Sequence, residues 1–227
     1  MNIKKITNTV LQFTINRIIE ILGACILLNG LLLLIALISY SPDDPNFIFP
    51  ENTEIQNLLG FQGSYISDLF FQSIGLVSYL LSITLIFTGI NIFKSKDFFL
   101  IIENVFFSII YCVFGSLFFS FFYKNAFALY INGNGGFIGN YLGQGFLGDL
   151  VNVQISVSFY FLIILIAVLF LKSINFSPKK FWNFLKKIIN YFNNDKYKNY
   201  TDRSEIINEY IPQDEIKNLI QEDLPFI

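Results

Sequence analysis

The chain contains no histidine. Without imidazole it lacks the commonest general base and metal ligand, which excludes Ser-His and Cys-His hydrolytic arrangements. Cysteine is nearly absent too, with Cys25 and Cys112 the only two. Each lies inside a hydrophobic run, where a thiol acts as a small packing residue, so neither a disulfide framework nor a zinc site is expected. Charge is scarce, at 14% of residues and a net of −2. No Gly-x-x-x-x-Gly-Lys-Ser/Thr phosphate loop occurs, so the chain is not expected to hydrolyse nucleotide by itself. One glycine run, Gly143-Gln144-Gly145-Phe146-Leu147-Gly148, has dinucleotide-binding spacing. It follows no strand, and Val168 stands where an acidic ribose ligand would fall, so no cofactor is expected.

What remains is apolar: 54% hydrophobic residues, a mean hydropathy of +0.56 and 28 phenylalanines. A soluble domain of 227 residues could not hide that much in one core. Four stretches, 21–42, 69–93, 104–123 and 150–171, run at least twenty residues without a charge. Each is long enough for a helix to cross a hydrocarbon core of about 30 Å. The spacing predicts an all-α integral membrane protein with transmembrane helices at about 18–40, 69–93, 98–123 and 151–171. Lys4, Lys5 and Arg17 precede the first run, Lys94 and Lys96 separate the second and third, and Lys172, Lys179, Lys180, Lys186 and Lys187 follow the fourth. The other two loops, 43–68 and 124–149, hold only Lys124. Positively charged short loops stay in the cytoplasm, which puts both termini there and the two large loops outside.

Residues 1–17 read as a cytoplasmic arm, 18–172 as the four-helix membrane domain, 173–192 as a juxtamembrane helix and 193–227 as a polar linker. Arg17 and Glu20 are three apart and expected to pair at the membrane surface, while Glu103 should reach the interface or a lysine. Asn29 is costly against lipid and should face another helix or another subunit. Small residues Gly75, Ser78, Ser82, Thr84 and Gly89 suit the second helix to close packing, whereas the third and fourth, rich in Phe, Ile and Leu, suit lipid. Tyr40 and Tyr123 are placed as interfacial aromatics. The second outer loop holds seven of the 14 glycines. Among them Gly135, Gly139 and Gly143 recur every four residues, predicting a short interfacial or re-entrant helix with a flat stripe for packing or oligomer contact. After Ser177-Pro178, Lys179, Lys180, Lys186 and Lys187 share one helical face and Trp182 belongs to the apolar remainder. That arrangement fits a helix lying on an anionic leaflet.

Three short motifs carry a family resemblance. Ser39, Tyr40, Asp44 and Pro45 resemble the Ser-Tyr-x-x-x-Asp-Pro junction of the FtsK/SpoIIIE DNA translocases. Asn57, Gly60 and Gly63, leading through Asp68 to Gly75, resemble that family's Asn-x-x-Gly-x-x-Gly segment and the acidic residue before its second helix. Gly135, Gly136 and Gly139 resemble its Gly-Gly-x-x-Gly. The resemblance covers residues 17–172 and implies an inner-membrane anchor at the division septum, serving cell division and chromosome segregation. It further implies a hexameric assembly, other division proteins as partners, and contact with DNA and ATP only through a motor that this chain does not contain. The chain is expected to be the anchor and the start of the linker, cut from a longer protein or encoded separately. Alternative classes are a small transporter or channel using Glu20, Glu103 and Asn29 as a polar path, and a membrane scaffold outside the division machinery.

Overall fold

The computed structural model describes residues 3–45, 54–124, 129, 131–179, 181–183 and 185–190. Two units are distinguished, 1–176 and 177–227. In the first, α1 (Ile3–Ile38) is one helix of 36 residues. Residues 3–17 contain no proline or glycine to stop it, so this part of the arm is helical and continuous with the first crossing. At 1.5 Å per residue α1 is about 54 Å long and outruns a hydrocarbon core.

The second crossing begins earlier than the uncharged run suggested. It consists of α2 (Gly60–Ile74), a 3₁₀ turn at Gly75–Val77 and α3 (Ser78–Ser95). α2 is inverted relative to a surface helix of a soluble protein. Gly63, Ser64, Ser67 and Asp68 are buried while Phe61, Ile66 and Leu69 are exposed. Lipid as solvent accounts for this: apolar side chains face it without cost, and polar groups must find partners inside. After α4 (Phe99–Phe122) come two short helices, α5 (Gly136–Gly143) and α6 (Phe146–Val153), then α7 (Ile155–Ser173). Among the described residues four helical stretches are thus long and apolar enough to cross a membrane.

The crossings run antiparallel in chain order, so two faces can be named. The terminal face holds the start of α1, the α3–α4 turn and the end of α7; the loop face holds the α1–α2 and α4–α5 connections. α1 lies along α3 on small residues, Gly89 as expected and, on α1, the unanticipated Gly23 and Gly30. A Cβ on Gly23 would come 2.9 Å from the Phe93 nitrogen, and one on Gly30 would come 2.8 Å from the Ile86 nitrogen. Opposite them, a Cβ on Gly89 would sit 2.5 Å from the Leu27 nitrogen. The seven-residue interval between Gly23 and Gly30 was the legible signal, since it puts both on one helix face. Gly30→Leu should therefore wedge the two backbones apart and cost about 1–3 kcal/mol, read as a lowered unfolding midpoint in detergent with Gly30→Ala intermediate.

α4 is the hub, which corrects the expectation that the third crossing mainly faces lipid. It packs on α3, α5 and α7, and Asn104, Ser108, Tyr111, Cys112, Gly115 and Ser116 form its buried stripe. Its many phenylalanines masked that three-and-four spacing. α7 is largely exposed along its length, in keeping with the lipid-facing reading of the fourth crossing.

Candidate functional site

The resemblance motifs converge on the loop face, around the turn from α1 into α2. Asp44, only 1% exposed, accepts the Gln56 backbone N–H on Oδ1 at 2.7 Å and the Asn57 N–H on Oδ2 at 2.9 Å. Its carboxylate therefore ties the end of the first crossing to Gln56, twelve positions on. Asn57 is buried and bridges in the other direction, its amide donating to the Ala36 carbonyl at 2.9 Å and its Oδ1 accepting the Leu59 N–H at 3.0 Å. Gly63 is required by this seat, because a Cβ there would fall 2.1 Å from the Asn57 Oδ1. Gly60 takes a left-handed φ of 65° and donates to the Asn57 carbonyl at 2.9 Å.

The remaining motif residues lock the same corner. Ser39 Oγ accepts the Leu58 N–H at 3.2 Å and donates to the Ile35 carbonyl at 2.7 Å. Ser64 Oγ donates to the Pro45 carbonyl at 2.8 Å. The Tyr40 hydroxyl donates to Asp68 Oδ1 at 3.3 Å, with its ring edge-on to Phe71 at 4.8 Å. The Tyr79 hydroxyl, from α3, donates to the Leu37 carbonyl at 3.0 Å and ties the last turn of α1 to the next crossing. What reads in sequence as three separate motifs is in space a corner plus one crossing.

That crossing is at Gly75. With φ 67° and a would-be Cβ 2.0 Å from the Asn134 carbonyl oxygen, this position admits only glycine. The close approach lets the Leu76 N–H donate to the Asn134 carbonyl at 3.0 Å. From the other strand of the crossing Gly136, at φ 65°, faces the Gly75 nitrogen. Asn134 itself is 1% exposed, donates to the Tyr123 carbonyl and leaves Oδ1 without a hydrogen-bond partner.

The glycine stripe is helical and its neighbour is α4 of the same chain. A Cβ on Gly139 would lie 2.2 Å from the Ser116 carbonyl oxygen, and one on Gly135 would lie 2.6 Å from it. Gly143 makes only a looser approach, 3.2 Å to the Phe121 ring. Ser120 Oγ donates to the Gly139 carbonyl at 3.0 Å and seals the contact. The surface expected to meet another subunit is thus occupied at Gly135 and Gly139 from within. Asn29 also turns inward on its own helix: it donates to the Cys25 carbonyl at 2.9 Å and stays exposed, beside a 450 Å³ groove between α1 and α2.

On the terminal face, Glu20 is held by Arg17 and, at 2.9 Å, by Lys96 from the end of α3. Glu103 is exposed on α4. Neither acid lines the 650 Å³ groove that runs between α3 and α4 under α2, so the polar path through Glu20, Glu103 and Asn29 does not assemble there. In the second unit, residues 178, 179, 181–183 and 185–190 are helical. Lys179, Trp182, Lys186 and Lys187 are exposed, with Lys186 over the Trp182 ring at 5.8 Å. Lys180 and the linker 193–227 lie outside the described residues.

These features define a multi-pass, all-α membrane domain whose polar residues bond to one another between its helices and loops. Over residues 16–186 the sequence matches the model of the 4TM region of DNA translocase FtsK/SpoIIIE, and the chain belongs to that family. Among relatives, the DNA translocase FtsK of Rickettsia prowazekii (strain Madrid E) is 33% identical over 82 residues, 35% of this chain and 11% of that protein. The DNA translocase FtsK of Rickettsia typhi (strain ATCC VR-144 / Wilmington) is 34% identical over 67 residues, 30% of this chain and 9% of that protein. The chain therefore aligns with only about a tenth of the length of these relatives. No solved structure matches it.

Proposed function

We propose that the chain is the membrane anchor of a septal DNA translocase, acting in cell division and chromosome segregation. Both termini lie in the cytoplasm and the loop-face corner lies outside. The observation that carries this reading is the division of labour between the two faces. The corner built from Asp44, Asn57 and Gly63 is internally saturated with hydrogen bonds, so it presents a fixed shape to other division proteins. Cations gather on the other face, where Arg17 and Lys96 flank Glu20 and Lys172 lies in the last turn of α7; each lysine close to an anionic leaflet gains about 1 kcal/mol. DNA and ATP are reached only through a motor joined beyond the linker, and the anchor itself requires no cofactor. Copies gather, six in number on the family pattern, through surfaces other than Gly135 and Gly139.

A fluorescent fusion to the chain should concentrate at midcell in dividing cells; even distribution around the membrane would overturn the septal role. Orientation is checked in the same cells after Cys25 and Cys112 are replaced by alanine. A cysteine at Leu58, which is 77% exposed, should then react with an impermeant maleimide added outside, whereas one at Ser95 should not.

A further inference from the structure

The last turn of α7 is held in a way the rest of that helix is not. Ser173 is fully buried, and its hydroxyl lies 3.1 Å from Thr84 Oγ1 on α3, which in turn lies 2.9 Å from the Tyr111 hydroxyl on α4. One residue on, the Ile174 carbonyl accepts the Asn91 amide at 3.0 Å. One further, Asn175 donates to Asn104 Oδ1 at 2.7 Å, and Asn104 donates to Thr88 Oγ1 at 2.9 Å. Asn104 is 1% exposed. Three consecutive residues are thus bonded to two other crossings, Ser173 and Ile174 from buried positions and Asn175 from an exposed one.

The backbone completes the arrangement. Asn175 sits at φ 53°, its N–H bonds the Lys172 carbonyl at 3.0 Å, and the Phe176 N–H bonds the Leu171 carbonyl at 3.0 Å. This is a Schellman cap with asparagine in the left-handed position. A glycine there would satisfy the backbone equally well. Only asparagine also supplies the amide that reaches Asn104, so the cap and the interhelical bond share one residue.

We propose that Asn175, Asn104, Thr88 and Asn91, with the Ser173–Thr84 contact, form a clamp that resists pulling. Tension arriving along the chain from beyond Ser177 passes through it to α3 and α4 instead of peeling α7 from its end. The clamp rests on the reading of this chain as the anchor of a pulling motor. Helices unravel from their termini, and the final turn is where a tether applies its force. Three side-chain bonds to neighbouring helices oppose that first step, while the length of α7 relies mainly on apolar contacts such as Leu162 and Phe159 against Phe118.

The test is single-molecule pulling of the full chain in lipid bilayers, once from its C-terminal end and once from its N-terminal end. Asn175→Gly keeps the cap conformation and removes the amide. Asn104→Ala removes the acceptor, and its own folding is checked by unchanged hydrogen exchange in α1. Both variants should lower the force of the first C-terminal event and raise exchange at residues 172–176 roughly five- to tenfold, with the N-terminal pulling trace unchanged. Wild-type C-terminal forces in Asn175→Gly, or an equal drop from both ends, would overturn the clamp. Dispersed localisation would sink only the septal role, so the two readings fail separately.

Discussion

Gly139→Leu should prevent stable folding or cost at least about 3 kcal/mol, among the larger losses a single substitution produces. The reason is the nature of the obstacle. A Cβ at 139 would meet the Ser116 carbonyl oxygen at 2.2 Å and its carbon at 2.7 Å, and backbone in the middle of α4 cannot step aside as a side-chain tip can. Gly145 provides the control in the same glycine-rich segment. Its Cβ would meet nothing closer than 3.7 Å at an ordinary negative φ of −102°, so Gly145→Ala should be neutral or slightly stabilising through the unfolded chain. Thermal unfolding and size-exclusion profiles in detergent separate the cases. A Gly139→Leu protein with the wild-type midpoint would refute the close packing of α5 on α4.

The crossings were legible because a bilayer demands long uncharged runs and because lysine marks one side of each. The uncharged run 104–123 marked the end of α4, and the expected helix 98–123 compares with Phe99–Phe122. The first nine residues of α2 were not legible as helix. Their polar side chains look like a loop when the expected pattern is apolar in and polar out, yet here Ser64, Ser67 and Asp68 point inward. The break at Gly75 was equally hidden, since a glycine inside a hydrophobic run reads as a packing residue until its left-handed φ is seen.

At the candidate site the motif residues could be named from sequence, but their purpose could not. Asp44, Asn57 and Gly63 are separated along the chain and meet only through the α1–α2 corner. Asn104 and Asn175 are seventy-one apart, and no local pattern links them. Both are asparagines within or just after a crossing, where an amide finds its partner on a neighbouring helix. Asn29 drew attention on that argument, and the same argument applied to Asn91, Asn104 and Asn175 would have pointed to the end of α7. The glycine stripe was visible by its period of four, but period alone does not tell a neighbour in the same chain from one in another.

Asp44→Ala should be the most damaging single change in the α1–α2 corner, costing roughly 2–4 kcal/mol. It strands two backbone donors. The Gln56 N–H belongs to an exposed residue and regains water, so its loss is small. The Asn57 N–H belongs to a buried one and bears most of the penalty. Asp44→Asn keeps one acceptor oxygen and places an N–H₂ group against the other donor, so it should fall between wild type and alanine, while Asp44→Glu overfills a buried site and gains nothing. The partner side is tested by Asn57→Ala, which frees the Ala36 carbonyl and empties the seat under Gly63. Because both substitutions dismantle one corner, the double variant should lose less than the sum of the two. Equilibrium unfolding in mixed detergent measures the energies, and limited proteolysis at residues 54–59 reports the opening directly. Full additivity would mean that Asp44 and Asn57 stabilise separate parts of the fold. Hydrogen exchange in α4 and α7 should stay at its wild-type level, since the Thr84–Tyr111 and Thr88–Asn104 bonds at the other face share no partner with the corner.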